Sequence, residues 1–76
     1  MQIQTALIAD PSEEVSLALA QILQPDFRAV CCADGLRALT VLEEETPDIL
    51  ILELSLPRLD GIGILRELSR RATAMR

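Results

Sequence analysis

Hydrophobic and polar positions alternate along this chain in two distinct patterns. Short apolar runs predict strands over Gln4–Ala9, Phe27–Cys32 and residues 49–54. Apolar residues that recur every three or four positions predict helices over Glu13–Leu23, residues 36–45 and residues 62–72. Strands that alternate with helices run parallel and are joined by right-handed crossovers. The pattern therefore predicts an α/β domain of the form βαβαβα.

The same positions predict which faces are buried. The helical stripes are Val15, Ala18, Leu19, Ile22 and Leu23 in the first helix, Leu36, Leu39 and Leu42 in the second, and Ile62, Leu65, Leu68 and Ala72 in the third. The third strand is apolar on both faces until Glu53, which is typical of a parallel sheet with helices on both sides. Pro11 is well placed to begin the first helix, with Asp10 or Ser12 as its cap.

Composition narrows the range of functions. The 76 residues suffice for one domain, residues 1–76, with a formal net charge of −5. Every basic residue is arginine and histidine is absent, which excludes histidine general bases and lysine Schiff bases. The acidic balance argues against a nucleic-acid partner, and the missing nucleophile–base pair argues against an enzyme. No apolar run reaches the about 18 residues of a membrane span and no basic leader is visible, so we expect a cytoplasmic protein without a membrane partner.

Two adjacent cysteines, Cys31 and Cys32, end the second predicted strand. Neighbouring residues of a strand point to opposite faces, so a disulfide between them would be strained. We expect both to be small buried apolar residues in a reducing compartment. A paired metal or redox role is the alternative.

Two acidic residues fall at strand ends, where open α/β sheets form their sites. Asp10 follows the first strand, and Glu53 lies near the end of the third. If these strands are neighbours, the two carboxylates face each other across a small cleft, and paired carboxylates favour a hard cation such as Mg²⁺. Alternatively, Asp10 is only a helix cap and Glu53 is an isolated acid at a strand end.

Three segments resemble the receiver domain of bacterial response regulators. Residues 6–10 (ALIAD) look like its first strand and acidic loop, residues 32–39 (CADGLRAL) like the opening of its second helix, and residues 47–61 (PDILILELSLPRLDG) like its phosphoacceptor strand and loop. The resemblance implies a flavodoxin-like half with a parallel sheet ordered 2-1-3, truncated after the third βα unit. It also implies a role for each matching residue: Glu53 at the phosphoacceptor position, Asp10, Glu53 and the Ser55 carbonyl at the metal site, and Pro57 and Gly61 as loop framework.

The departures from the family pattern concern the chemistry. Pro11 stands where receivers have a second metal-binding acid, and Glu53 stands where they have the phosphoacceptor Asp. The family's later Ser/Thr and Lys, which contact the phosphoryl group, belong to strands four and five and have no counterpart here. The resemblance therefore implies a degenerate site that binds Mg²⁺ weakly or has no cofactor.

Three functional hypotheses follow. The first is a degenerate receiver-like module of a two-component system that works without phosphorylation, through dimerisation or contact with a signalling protein. The second is the N-terminal fragment of a phosphorylatable regulator with Mg²⁺-dependent phosphoacceptor activity. The third, a carboxylate phosphatase, is disfavoured because no second cluster of ligands is present.

In the order 2-1-3, the third strand lies at an edge of the sheet. A long edge strand that is apolar on both faces is a poor surface to leave in water. We therefore predict a homodimer through Ile49, Ile51, Leu52 and Leu54, with one sheet ordered 2-1-3-3′-1′-2′. A two-fold axis makes that central pairing antiparallel. The alternative is that the chain was cut from a longer receiver.

Overall fold

Three parallel strands form one sheet in the predicted order. The structure, a computed structural model, describes residues 3–74. The strands are β1 (Gln4–Ala9), β2 (Phe27–Cys32) and β3 (Ile49–Leu52). The helices are α1 (Glu13–Leu23), α2 (Gly35–Glu45) and α3 (Gly61–Ala74). The order β2-β1-β3 and the parallel pairing confirm the predicted half of a flavodoxin-like fold.

The centre of the domain is β1, which pairs with both other strands. Its last four residues, positions 6–9, are fully buried. Leu7 and Ala9 belong to the main hydrophobic cluster on the side of α2 and α3, with Val41 of α2 and Ile64 of α3. The helix α1 lies on the opposite side of the sheet, against β2 and β1. The outer part of that side, over β3, has no helix packed on it among the described residues.

Each helix begins at a polar side chain that caps its first backbone N–H groups. Ser12 Oγ accepts a hydrogen bond from Val15 N at 3.2 Å, so Ser12 and not Asp10 caps α1. Asp34 caps α2 through Arg37 N at 2.8 Å. At the start of α3, Asp60 Oδ1 accepts from Gly63 N at 2.7 Å.

The buried faces of the helices differ from the predicted stripes. In α1, Ser16 is buried whereas Val15, Ala18 and Ile22 are exposed. The sheet covers the face of α1 that contains Ser16, and these three apolar side chains lie outside that contact. The predicted stripe was therefore wrong for these three residues, although the bounds Glu13–Leu23 were confirmed.

In the second and third helices, too, some residues of the predicted stripes are exposed. In α2, Leu36 is exposed while the smaller Ala38 and Val41 are buried, because they let the helix approach the sheet closely. In α3, Ile62 and Leu65 are 45% and 46% exposed, and Ile64 is fully buried. The side chain of Ala72 lies outside the described residues.

The strand β3 ends two residues earlier than predicted. Glu53 N donates the last bond of the ladder to Ala9 O at 2.9 Å. Leu54 O then accepts from Gly61 N at 2.9 Å, so its carbonyl belongs to the start of α3 and not to the sheet. Leu54 is therefore not part of the edge strand, which corrects its assignment to the dimer edge.

An ion pair joins α2 to α3. Arg71 bridges Glu43 of α2 at 2.6 Å and Glu67 of its own helix at 2.9 Å. Hydrogen bonds from Arg70 and Arg71 lower the pKa of Glu67 to about 2, so its carboxylate stays charged in mild acid. Within residues 3–74, none of the helices combines the length and apolar character needed to cross a bilayer.

Candidate functional site

The ends of β1 and β3 bring the two candidate acids to one edge of the sheet. Ala9 is in register with Leu52, so Asp10 and Glu53 are the next residues on adjacent strands. Adjacent strands lie about 4.8 Å apart, and residues in register point to the same face. Asp10 is half-buried and Glu53 is exposed. The two acidic residues therefore follow neighbouring strands at the carboxyl end of the sheet.

Asp10 shapes the loop that leads into α1. Its backbone N donates to Cys32 O at 3.1 Å, which continues the β1–β2 ladder by one bond. Its Oδ1 accepts from Ser12 N at 2.8 Å, the bond of an Asx turn. The second carboxylate oxygen is left for another ligand. Pro11, which lies between Asp10 and Ser12 in the chain, is exposed and provides no side-chain oxygen.

Glu53 folds its side chain back on its own loop. Its Oε1 accepts a hydrogen bond from Ser55 N at 3.1 Å, two residues further along. Asp10 makes the bond of the same spacing to Ser12 N, so both acids turn back on the loops that follow them. The negative charge is therefore held over the loop that follows β3.

That loop is joined to the start of α2. Pro57 O accepts hydrogen bonds from Gly35 N at 3.0 Å and from Leu59 N at 2.8 Å. Arg58, between these bonds, has a left-handed backbone with φ of 70°. Gly61 closes the loop, since a Cβ there would be 2.8 Å from Leu54 Cα. Pro57 and Gly61 thus hold the loop.

Gly35 is a structural requirement that sequence reasoning missed. A Cβ at this position would lie 1.5 Å from Leu59 O. In the sequence, the dipeptide Asp34-Gly35 is typical of a turn, and nothing local indicates that another loop passes so close. A tertiary contact of this kind has no signal in the hydrophobic pattern.

The donor atoms suit only a Mg²⁺ site that has few protein ligands. Two carboxylates and a backbone carbonyl are hard oxygen ligands, and Mg²⁺ often binds through one or two carboxylates and several waters. Asp10 has a free oxygen, whereas Glu53 is engaged with Ser55 N. No group of three His, Cys, Asp or Glu residues that could hold a metal occurs among positions 3–74. The two carboxylates and the carbonyl therefore fit a Mg²⁺ site in which waters are the remaining ligands.

A cleft of about 310 Å³ opens beside Asp10. It is lined by Asp10, Pro11, Glu13, Ser16, Cys31, Cys32 and Ala33. The cleft lies between α1 and the end of β2, and Glu53 does not line it. The two acids therefore share a sheet edge but not this cavity.

The cysteines differ from each other in burial, which corrects the expectation that both are buried. Cys32 is 9% exposed and packs in the main cluster, whereas Cys31 is exposed on the face of α1. Cys31 Sγ lies 3.9 Å from Ser16 O. Burial, and secondarily the charge of Asp34, raises the pKa of the Cys32 thiol.

We expect an alkylating reagent to modify one cysteine of the folded chain. Thiolates are the reacting species, so the exposed Cys31 should react while Cys32, buried and with a raised pKa, should not. Mass spectrometry should show one adduct under native conditions and two in urea. The variant Cys31→Ser should show none when folded. Two adducts in the folded chain would contradict the burial of Cys32.

Comparison with known proteins identifies the family. The model of the response regulator receiver domain matches residues 6–76. The chain belongs to this family, which confirms the resemblance of the three segments. Receiver domains are signalling modules of two-component systems, and the coarse assignment of a two-component signalling module is therefore established.

Curated relatives contain the matching segment as a small part. The chain is 41% identical over 63 residues to protein-glutamate methylesterase/protein-glutamine glutaminase 3 of Shewanella oneidensis, covering 79% of this chain and 18% of the relative. It is 41% identical over 73 residues to protein-glutamate methylesterase/protein-glutamine glutaminase 5 of Myxococcus xanthus. This match covers 92% of this chain and 21% of the relative. The chain thus spans about a fifth of these relatives, and the matches cover only their receiver part.

Solved receiver structures share the fold. The signal receiver domain of a LuxO repressor protein from Vibrio parahaemolyticus superposes with a TM-score of 0.87 at 19% identity, over 93% of this chain and 55% of that one. The receiver domain of the Francisella response regulator 1452 superposes with a TM-score of 0.85 at 21% identity, over 91% of this chain and 58% of that one. The chain covers somewhat more than half of each solved receiver.

Proposed function

We propose that this chain is a receiver module that signals without phosphorylation, with Glu53 as a fixed negative charge at the phosphoacceptor position. The observation that supports this most is the placement of Glu53 directly after β3, beside Asp10, with its carboxylate held by Ser55 N. The charge thereby lies on the loop that Pro57 joins to α2. Its output is contact with another signalling protein.

The length of the side chain argues against phosphoryl transfer at Glu53. Glutamate has one methylene more than aspartate, which moves the carboxylate by roughly 1.5 Å. Phosphoryl transfer depends almost entirely on positioning and charge stabilisation, and a misplacement of about 1 Å can cost on the order of 100-fold in rate. A carboxylate also has one charge where a phosphoryl group has about two, so Glu53 imitates the phosphorylated state only in part.

Asp10 and Glu53, with the Ser55 carbonyl, are the groups that would hold Mg²⁺. When bound, the ion would neutralise negative charge at this edge of the sheet. Pro11 withholds the second acidic ligand of the loop after β1. We therefore expect weaker binding of Mg²⁺ than at a site with three acids.

Phosphorylation is tested directly by mass spectrometry. The chain is incubated with a small acyl phosphate donor and Mg²⁺, beside a complete receiver that has the phosphoacceptor Asp. We expect the complete receiver to gain the mass of one phosphoryl group and this chain to gain none. A Mg²⁺-dependent gain on this chain would instead support the alternative, a phosphorylatable regulator fragment, for which Asp10, Pro57 and Gly61 provide the framework.

The role of the charge is tested by Glu53→Gln, which keeps the shape and removes the charge. We expect backbone amide NMR shifts to change over residues 53–61 and at the start of α2, because Gly35 N is bonded to Pro57 O. Glu44→Gln, at another exposed acid, is the matched control and should change only its surroundings. Shifts confined to the immediate neighbours of Glu53 would show that its charge does not influence the loop.

A further inference from the structure

We propose that the cleft between α1 and the end of β2 binds a small organic cation, a short aliphatic amine in its ammonium form. The cleft has a volume of about 310 Å³, at the lower end of the range for small-molecule sites. Its lining belongs to the loop after β1, to α1 and to the end of β2, so β3 and α3 take no part in it. The site is also independent of the role proposed for Glu53, which does not line it.

The charge of the cleft favours a cation. Asp10 and Glu13 line it, and no arginine in the described part of the chain does. Neither acid forms an ion pair within residues 3–74. Asp10 uses one carboxylate oxygen for Ser12 N at 2.8 Å, which leaves the other oxygen for a ligand. Two carboxylates without a cationic partner attract an ammonium group and repel an anion.

Ser16 adds a buried hydroxyl to the cleft. This residue is only 4% exposed, on the face of α1 that lies against the sheet. Its side chain makes no hydrogen bond within the described residues, and no fully enclosed polar side-chain atom there lacks a partner. The hydroxyl therefore opens onto the cleft that Ser16 lines. A buried hydroxyl without a partner in the chain is available to accept a hydrogen bond from an ammonium group.

The remaining lining is apolar and suits the hydrocarbon part of such a ligand. Pro11 and Ala33 provide apolar surface. Burial raises the pKa of the Cys32 thiol, which therefore stays neutral and adds to this surface. Small-molecule sites commonly combine apolar walls with a few polar groups that fix the orientation of the ligand. Here the polar groups are the two acids and the hydroxyl, and the walls have room for a short aliphatic chain.

The N-terminus of α1 does not make this cleft an anion site. Helix N-termini attract anions through backbone N–H groups that have no partner. In α1, Ser12 Oγ accepts a hydrogen bond from Val15 N, and Glu13 and Glu14 place negative charge in the first turn. These groups offset the positive end of the helix dipole. A ligand in the cleft therefore meets side chains of negative charge.

The thiol of Cys31, which also lines the cleft, allows the ligand class to be tested by disulfide exchange. The probe is cystamine, a disulfide with an ammonium group at each end, in a buffer with a chelator and no Mg²⁺. The Cys31 thiolate attacks one sulfur and the S–S bond of cystamine breaks. Cysteamine leaves as a thiolate and takes up the proton that Cys31 lost. Mass spectrometry measures the rate at which the mixed disulfide forms, and Cys31→Ser should form none.

The variant Glu13→Gln tests the contribution of charge in the cleft. The neutral bis(hydroxyethyl) disulfide reports changes in the thiol itself, so the ratio of the cystamine rate to this rate is compared. We expect Glu13→Gln to lower the ratio about fivefold, since a charge at about 4 Å contributes on this order in water. Glu14→Gln, which removes the same charge from an acid outside the cleft, is the matched control and should lower it less than about twofold. Equal ratios in the two variants overturn the proposal.

An NMR titration tests binding without the thiol. Butylammonium is added to the Cys31→Ser variant, and butyrate is added to a second sample. We expect saturable shifts of the backbone amides of residues 10–16 and 31–33 with butylammonium, and none with butyrate. The acidic run at residues 43–45 of α2 is an internal control for unspecific attraction of a cation. Shifts that do not saturate, equal shifts at residues 43–45, or saturable binding of butyrate in the cleft overturn the proposal.

Discussion

Replacing Gly35 with alanine is expected to destabilise the domain by about 3 kcal/mol or more. A chain of this length has about 4–11 kcal/mol of stability in total, so most of its reserve would be lost. The added Cβ would lie 1.5 Å from Leu59 O and 2.8 Å from Leu59 Cβ. Relief would require the backbone of the loop to move. That loop cannot move freely, because Pro57 O accepts bonds from both Gly35 N and Leu59 N.

Gly63→Ala is the matched control for this prediction. Its Cβ would meet Leu59 Cδ1 at 2.6 Å, the far end of a flexible side chain that can rotate away. Alanine also favours a helix over glycine by up to about 1 kcal/mol. We expect a change within about 1 kcal/mol, measured by urea unfolding followed by circular dichroism. Equal effects of the two substitutions would show that the contact with Leu59 is not what requires glycine.

The contact at Gly35 also bears on the role proposed for Glu53. It couples the loop after Glu53 to the first turn of α2 without any side chain between them. A change of charge at Glu53 acts first on Ser55 N and then on a loop whose carbonyl at Pro57 is fixed to α2. The proposed effect of Glu53 therefore has a short physical route to a helix surface.

The order of elements was predictable because it depends on local pattern. The bounds of β1, α1 and β2 agree with the apolar runs and the helical spacing. The position of Asp10 and Glu53 at one sheet edge followed from the parallel order. The end of β3 could not be predicted in this way, because it is set by the bond from Gly61 N to Leu54 O. That bond is a contact between residues outside the strand.

The buried helix faces were less predictable for a related reason. A stripe of apolar residues shows that a face can be buried, but not which part of it meets a neighbour. In α1, the small polar Ser16 is buried against the sheet while Ile22 is 75% exposed. Cys31 is exposed on that same side of the sheet. The spacing of one helix therefore cannot indicate which of its residues the sheet covers.

Replacing Ile64 with alanine is expected to cost about 3 kcal/mol, whereas Ile62→Ala should cost less than about 1 kcal/mol. The two residues are separated by one position in α3, and both changes remove the same atoms. Ile64 is fully buried in the cluster with Leu7 and Val41, so its truncation leaves a cavity. Ile62 is 45% exposed, so its truncation leaves no enclosed cavity.

Urea unfolding of both variants at low protein concentration measures this difference. Low concentration keeps any association between chains from contributing to the stability. The original stripe of Ile62, Leu65 and Leu68 predicts the opposite order, with Ile62→Ala as the damaging change. A larger loss for Ile62→Ala would therefore show that α3 presents that stripe to the core and is rotated relative to the structure. The expected order would establish that α3 turns Ile64 to the sheet and leaves Ile62 and Leu65 on the outside.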